Sequence, residues 1–239
     1  MRKKRMLFVG ALGLCAALAV TGIAISAPAT QTLDVQVTKQ AKPKLDKKKF
    51  KGTSIEVTTA TSDAANPAGI PPKATRAVLV FDKKNMKFDT KTAPGCDPAA
   101  IENTTTQAAL AACGDAQVGD GDAIASLSSA GNRVDFPATV TAFNDGSQKG
   151  ILLHSRVDQL GTTVVLKGKI SGTTLDVTIP PLAGGTGAIA QFHTVVKAGK
   201  YVQVRCKSKT IKTSSTFTFT DAPQATASDS QKCKQKKKR

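Results

Sequence analysis

Residues 133–144 read RVDFPATVTAFN, and this stretch decides the fold that we predict for the chain. Apolar Val134, Phe136, Ala138 and Val140 alternate with residues that are mostly polar. Successive side chains of a strand point to opposite faces, so such a segment buries one face and exposes the other. The same alternation recurs around residues 173–179 and 215–220. The pattern predicts an all-β protein, an antiparallel two-sheet β-sandwich of the jelly-roll-like type.

The predicted domain spans residues 53–233. One segment of it, residues 96–114, does not resemble a strand. Asp97 before Pro98 is typical of a helix start, and Gly114 is placed to end a helix. An unbroken helix over residues 98–112 would hold Cys96 and Cys113 about 20 Å apart, too far for a disulfide. If they are bonded, the chain folds back near residues 103–106. We therefore predict a small disulfide-clasped helical cap over residues 96–114.

The N-terminus has the layout of a secretory signal peptide. Four basic residues at positions 2–5 precede an apolar stretch over residues 6–25, and Ala27-Pro28-Ala29 offers small residues for cleavage before Thr30. We expect residues 1–29 to be removed, which leaves no transmembrane span and a secreted, extracellular or envelope-associated protein. An uncleaved membrane anchor and a lipidated Cys15 are the alternatives, although Leu14 precedes that cysteine where a small residue is wanted.

The predicted mature chain is strongly basic. The chain has 34 basic and 17 acidic residues, and removing the four basic residues of the leader leaves a net charge of +13. A Lys-rich strand and linker (residues 30–52) and a basic tail (residues 234–239) carry much of it. The candidate contacts to anionic cell-wall polymers or lipid headgroups are Lys47, Lys48, Lys49, Lys232, Lys234, Lys236, Lys237, Lys238 and Arg239. The other interpretation is that the charge only maintains solubility.

Nucleic acid is a poor candidate partner, because single-stranded nucleic acid is bound by stacking on exposed aromatic rings. The chain has no Trp and one Tyr. We expect a monomer.

Four cysteines remain after the leader, an even number that suits an oxidising compartment. They allow three pairings. Cys96–Cys113 and Cys206–Cys233 are favoured because each pair brackets one local segment. No Cys or His residues are closely spaced as in a typical zinc site, so we expect neither a metal nor a cofactor.

The sequence offers little chemistry. His154 and His193 are predicted at surface or boundary positions of strands, and no Gly-x-Ser-x-Gly elbow is present. A triad of Ser155, His193 and Asp158 has no support from spacing. Asp120 and Asp122 flank a glycine and could bind calcium or lie in a solvated turn, and both interpretations stay open. We predict that the protein is not an enzyme; a secreted hydrolase acting on a polysaccharide or ester is the alternative.

Several short motifs carry a resemblance to a known group. These are Cys96-Asp97-Pro98, Ala112-Cys113-Gly114, residues 139–144, residues 201–206 and Cys233. With them the chain, from about Ile55 onward, resembles uncharacterised secreted bacterial proteins with a two-disulfide β-sandwich domain. The resemblance implies export and disulfides and no activity. The resulting hypothesis is a secreted, non-catalytic protein with a binding or structural role at the cell envelope.

Overall fold

The structure is a computed structural model that describes residues 29–37, 45–197 and 199–233. The predicted leader up to residue 28, part of the linker and the tail at residues 234–239 lie outside the described residues. No helix within the described ranges is long and apolar enough to cross a bilayer.

Antiparallel strands dominate the described part of the chain, as the alternating pattern predicts. In chain order they are β1 (Ala29–Gln36), β2 (Lys51–Gly52), β3 (Ile55–Asp63), β4 (Ala74–Phe81), β5 (Met86–Phe88), β6 (Gln117–Ser129), β7 (Asn132–Asn144), β8 (Gly150–Val157), β9 (Thr162–Ser171), β10 (Thr174–Thr178), β11 (Gly187–Val196), β12 (Val202–Val204), β13 (Thr210–Phe219) and β14 (Ala225–Lys232). One α-helix, α1 (Thr106–Cys113), accompanies them.

Eleven of these strands form one continuous sheet, in the order β1-β3-β11-β6-β7-β8-β9-β10-β4-β13-β14. The first and last strands of this order lie beside each other. Just after β1, the backbone N–H of Val37 donates to Oε1 of Gln231 on β14 over 2.8 Å. The sheet is therefore rolled up and nearly closed, like a barrel.

A second, three-stranded sheet of β2, β12 and β5 covers one end of the roll. The ring of Phe88 on β5 packs edge-on against Phe81 of β4, with 5.1 Å between centroids. The hydroxyl of Tyr201, next to β12, donates to the carbonyl oxygen of Gly150 at the start of β8 over 3.1 Å. These contacts fix the small sheet as a cover over this end.

This architecture differs from the predicted two-sheet sandwich. The alternation shows which side chains of each strand face inward, but not where a sheet ends or whether its edges meet. Hydrogen bonding runs without a break from β1 to β14, so there is no second large sheet facing the first within the described residues. The all-β, antiparallel part of the prediction is confirmed.

The core lies inside the roll. Val140, Leu153, Leu166 and Phe217 are among the buried side chains that point inward from their strands. The inward set on β7 follows the alternation in the sequence, since Ala138, Val140 and Ala142 all belong to this core.

The helical cap packs on the outer face of the roll and forms a second core. Asn103 has a φ of 57°, and the chain turns back there between a 3-10 turn (Pro98–Ala100) and α1. The side chain of Asp97 accepts from the backbone N–H of Ala99, as its position before Pro98 predicts. The cap covers Phe143 and Leu152, which face outward from β7 and β8 and would otherwise be exposed.

Both disulfides that the sequence favours are present. Cys96–Cys113 has a Cα–Cα distance of 5.4 Å and closes the cap. Cys206–Cys233 has a Cα–Cα distance of 5.7 Å and joins the segment after β12 to the end of β14.

Candidate functional site

Three segments that are far apart in the sequence meet beside the small sheet and form what we call the basic end. They are residues 45–52, the β4–β5 region at residues 82–87, and residues 205–209. Arg205 connects them: its Nη1 donates to the carbonyl oxygen of Lys48 over 3.3 Å, and its Nε donates to that of Lys84 over 2.8 Å. The arginine therefore holds two lysine-bearing loops together.

The ring of Phe50 contacts two cations of the basic end, Arg205 and Lys87. The guanidinium carbon of Arg205 lies 4.3 Å from the ring centroid, and Nζ of Lys87 lies 5.4 Å from it. Both distances are within the range of cation–π attraction. One aromatic ring therefore positions two cations at the basic end.

Asn85 is the polar centre of the basic end and is fully buried. Its Oδ1 accepts from the backbone N–H groups of Lys207 (2.8 Å) and Ser208 (3.1 Å). Its Nδ2 lies within donating distance of Oδ2 of Asp82 (2.7 Å), the carbonyl oxygen of Thr210 (3.0 Å) and the hydroxyl of Ser208. The side chain therefore fixes the loop at residues 205–209 against the β4–β5 turn.

The Cys206–Cys233 disulfide brings the end of β14 to the same place. The backbone N–H of Cys206 donates to the carbonyl oxygen of Asp46, and that of Cys233 donates to the carbonyl oxygen of Lys209. Lys232, one of the predicted contact residues, consequently lies at the same end as Lys47, Lys48 and Lys49.

Ten lysines of the basic end are exposed, and none of them forms an ion pair with a described residue. They are Lys47, Lys48, Lys49, Lys51, Lys83, Lys84, Lys87, Lys207, Lys209 and Lys232. The carboxylate of Asp46, within the first of the three segments, bonds to the backbone instead. Asp46 accepts from the N–H groups of Lys48 (2.7 Å) and Lys49 (2.9 Å), and these hydrogen bonds lower the pKa of its carboxyl.

The cations at the opposite end of the roll have carboxylate partners. Lys73 pairs with Asp221, Arg76 with Asp176, Arg133 with Asp135 and Arg156 with Asp158, at N–O distances from 2.6 to 3.9 Å. Each of these cations is balanced by an adjacent carboxylate. Of the fifteen described lysines without an ion pair, ten therefore lie at the basic end; the other five are Lys91, Lys149, Lys169, Lys200 and Lys212.

Sequence reasoning found part of this site and missed the rest. The structure brings Lys47, Lys48, Lys49 and Lys232 to one end, whereas Lys234, Lys236, Lys237, Lys238 and Arg239 lie outside the described residues. The members missing from the predicted contacts are Lys51, Lys83, Lys84, Lys87, Arg205, Lys207 and Lys209. A signal was available in the basic runs at residues 83–84 and 205–209, but nothing in the sequence shows that the two runs share an end with residues 47–49.

His154 is not at the surface, contrary to the prediction. Its side chain faces outward from β8, where the cap covers it completely, and its exposed fraction is 0%. Nε2 lies 3.2 Å from the carbonyl oxygen of Thr104 in the cap. Burial lowers the pKa of this imidazole, because the charged form loses its hydration.

His193 lies on the outer face of β11 between two carboxylates. Its Nδ1 is 2.8 Å from Oδ1 of Asp122, and its Nε2 is 3.0 Å from Oε1 of Glu56. The hydrogen bond to Asp122 raises the pKa of His193, and Glu56 acts in the same direction.

The candidate triad is not assembled. Ser155 points into the roll from β8, whereas His193 is on the outside, so the sheet separates them. Asp158 pairs with Arg156 instead. The hydrolase alternative therefore gains no support from these residues.

Asp120 and Asp122 do not form a solvated turn. Both lie on strand β6 and face outward, where Asp120 pairs with Lys197 over 3.0 Å and Asp122 contacts His193. No group of three or more His, Cys, Asp or Glu side chains suited to a metal occurs among the described residues.

Comparison with known proteins does not assign the chain to a family. No protein-family model and no curated protein matches the sequence. Two solved structures are similar over most of the chain. One is a DUF4466 family protein from Parabacteroides merdae, with 9% identity and a TM-score of 0.30, and the match covers 84% of this chain and 43% of that one. The other is the C-terminal domain of the AgI/II polypeptide BspA from Streptococcus agalactiae, with 8% identity and a TM-score of 0.32, and the match covers 85% of this chain and 48% of that one.

The chain thus spans less than half the length of either structure, and similarity at these TM-scores assigns neither a fold family nor a function. Of the resemblance to secreted bacterial proteins, what the structure shows is a β-rich domain with two disulfides.

Proposed function

We propose that the protein is an exported, non-catalytic binding protein of the cell envelope, and that its basic end binds anionic polymers. The observation that carries the proposal is the convergence of ten exposed, unpaired lysines from separate parts of the chain on one end of the roll. Solubility alone requires no such clustering, because dispersed lysines would serve it equally well.

The strength of such a contact follows from the number and spacing of the lysines. A lysine near an anionic surface contributes about 1 kcal/mol, and salt weakens that attraction over a Debye length of about 8 Å at physiological ionic strength. The phosphate or carboxylate groups of a flexible polymer can follow the loops at residues 47–49, 83–84 and 207–209. Arg205 and Asn85 hold these loops in place, so little ordering is needed on binding.

Export is part of the same proposal. Two disulfides favour an oxidising compartment, and the first residues of the sequence have the layout of a leader. Mass spectrometry of the protein recovered outside the cytoplasm is expected to show a chain that begins at Thr30. A mature chain that begins at or before residue 15 would contradict cleavage after Ala29.

The binding proposal is tested with three substitutions at the basic end. The variant Lys47→Gln/Lys48→Gln/Lys49→Gln removes three unpaired charges, and Lys73→Gln/Arg76→Gln/Lys167→Gln removes three cations that carboxylates already balance. Both variants change the net charge equally. Binding to poly(glycerol phosphate) is measured at 20 and 300 mM salt, with dextran as the neutral polymer.

At low salt the first variant is expected to bind roughly 100-fold more weakly than the wild type, from three contributions of about 1 kcal/mol. The control variant is expected to stay within about threefold, because its charges were balanced before substitution. Equal losses in the two variants, or wild-type binding that does not change with salt, would contradict a localised site. Binding to anionic vesicles but not to the polymer would place the partner among lipids instead.

A further inference from the structure

The interior of the rolled sheet contains an apolar cavity of about 110 Å³. Inward side chains from seven strands of the rolled sheet form most of its wall, among them Val57, Leu79, Leu153, Phe192 and Phe217, and Phe88 of β5 also contributes to it. Close-packed interiors contain few voids larger than a water molecule. An apolar cavity of about 150 Å³ can stay dry and bind benzene, so a space of this size suits a small apolar molecule.

The composition of the chain explains why the space is not filled. Barrels of about eight strands have interiors that side chains fill or that hold one small ligand, and this sheet has eleven strands. The chain has no Trp, one Tyr and nine Phe residues to fill a wider interior. Several inward positions carry small side chains, including Thr59, Ala77 and Ala190.

A smaller cavity of about 40 Å³ adjoins the first. Leu166, Ile189 and Phe192 belong to the walls of both. Rotation of these side chains would therefore join the two spaces, and the ligand that fits is not limited to the volume of the larger one.

Unpartnered hydroxyl groups face the interior. Thr194 lines the larger cavity with an exposed fraction of 6%, and its Oγ1 has no hydrogen-bond partner among the described residues. The hydroxyl of Ser155 at the smaller cavity is likewise unpartnered, whereas the hydroxyl of Tyr201 donates to Gly150. Most buried polar groups in proteins have a partner, so the hydroxyl of Thr194 is available to an oxygen atom of a molecule in the cavity.

We propose that the cavity binds a small, neutral, mostly apolar molecule with one hydrogen-bonding oxygen. The apolar part fills the space between Val57, Leu79 and Phe192, and the oxygen meets Oγ1 of Thr194. No Asp, Glu, Lys, Arg or His side chain belongs to the described wall, so an ion would lose its hydration without gaining a partner. The site is separate from the basic end and does not depend on the function proposed there.

Toluene and p-cresol are suitable probes, because they share a shape and differ by one hydroxyl. Binding is measured by calorimetry and by backbone amide shifts of the complete mature protein. Val57→Phe fills the cavity from β3, and Val80→Phe is the matched control, since Val80 faces outward from β4 with an exposed fraction of 45%. Val57→Phe is expected to lower the affinity for both probes at least tenfold, and Val80→Phe is expected to leave both affinities unchanged.

Thr194→Val tests the contact to oxygen. It is expected to lower the affinity for p-cresol roughly three- to tenfold, the range of one net hydrogen bond, and to leave the affinity for toluene unchanged. If Val57→Phe does not fold, Ala77→Leu on β4 fills the same space. In the wild type, shifts confined to β3, β4 and β11 would support the site even without that variant.

Three results would overturn the inference. The first is the absence of saturable binding of either probe to the wild type. The second is binding that neither filling variant weakens, which would place the probes elsewhere. The third is an equal effect of Thr194→Val on toluene and p-cresol, which would remove the assigned role of the hydroxyl.

Discussion

Removal of the Cys206–Cys233 disulfide tests what holds the basic end together. The bridge closes a loop of 27 residues that contains all of β13 and β14. Cys206→Ala/Cys233→Ala is the suitable variant, because Cys206 is fully buried and serine would introduce a buried hydroxyl. The β13–β14 pairing, from Thr210 opposite Lys232 to Phe217 opposite Ala225, does not depend on the bridge.

The expected loss of stability follows from the length of the loop. In the chain-entropy model, releasing a loop of this size raises the entropy of the unfolded chain by an amount worth about 3.5 kcal/mol at 25 °C. The shorter loop of 17 residues closed by Cys96–Cys113 gives about 3 kcal/mol. For a domain of this size, each kcal/mol of lost stability lowers Tm by about 2–4 °C. Removing the disulfide that closes the longer loop therefore corresponds to a fall in Tm of roughly 7–14 °C.

Urea unfolding followed by circular dichroism measures the loss, with Cys96→Ala/Cys113→Ala as the comparison. A loss below about 1 kcal/mol would refute the reasoning, because the unfolded chain would then keep β13 and β14 close without the bridge. A loss well above 5 kcal/mol would refute it in the other direction, by showing that native contacts of the basic end had also been lost. Polymer affinity distinguishes this second case, since it falls only if the lysine-bearing loops move.

Three further predictions concern buried or paired polar groups. Asn85→Ala is expected to lower the free energy of unfolding by about 3 kcal/mol in urea, because the N–H groups of Lys207 and Ser208 lose their acceptor; a loss below 1 kcal/mol would contradict its anchoring role. His193 has a raised pKa, so the stability that it gives the folded protein is fully present below the unfolded pKa near 6.5 and is lost as the pH rises through the folded pKa. His193→Gln should therefore lower the free energy of unfolding more at pH 5 than at pH 9. Equal effects at the two pH values would count against the pairing. His154 has a lowered pKa, so as the pH falls below about 6.5 the imidazole is protonated in the unfolded chain before it is protonated in the folded protein. The wild type should therefore lose more stability than His154→Leu between pH 8 and pH 5. Parallel curves of stability against pH would show that the imidazole is not held neutral.

The sequence predicts features that depend on neighbouring residues. Alternation around Val140 identifies the inward face of β7, and the distance argument on Cys96 and Cys113 predicts a chain reversal in the cap, which occurs at Asn103. Both follow from strand or helix geometry over fewer than 20 residues.

The closure of the sheet depends on contacts between distant segments and could not be predicted in this way. β3 pairs with β11 more than 120 residues later, and β4 pairs with β13. Neither pairing has a local sequence signal, because any amphipathic strand could occupy either place. The burial of His154 was missed for the same reason, since the cap that covers it is inserted between β5 and β6.

The basic end and the cavity share an element but no side chains. In the short strand β5, Met86 and Phe88 face the core while Lys87 between them is exposed, so one strand presents a ring to the cavity and a cation to the solvent. A charge change at Lys87 therefore leaves the cavity wall intact, and Val57→Phe leaves the charged loops in place. If the two sites act independently, each variant affects one ligand only. A change of polymer affinity in Val57→Phe would instead mean that filling the cavity moves a segment that touches both sites, such as the small sheet or the end of β4 at Phe81.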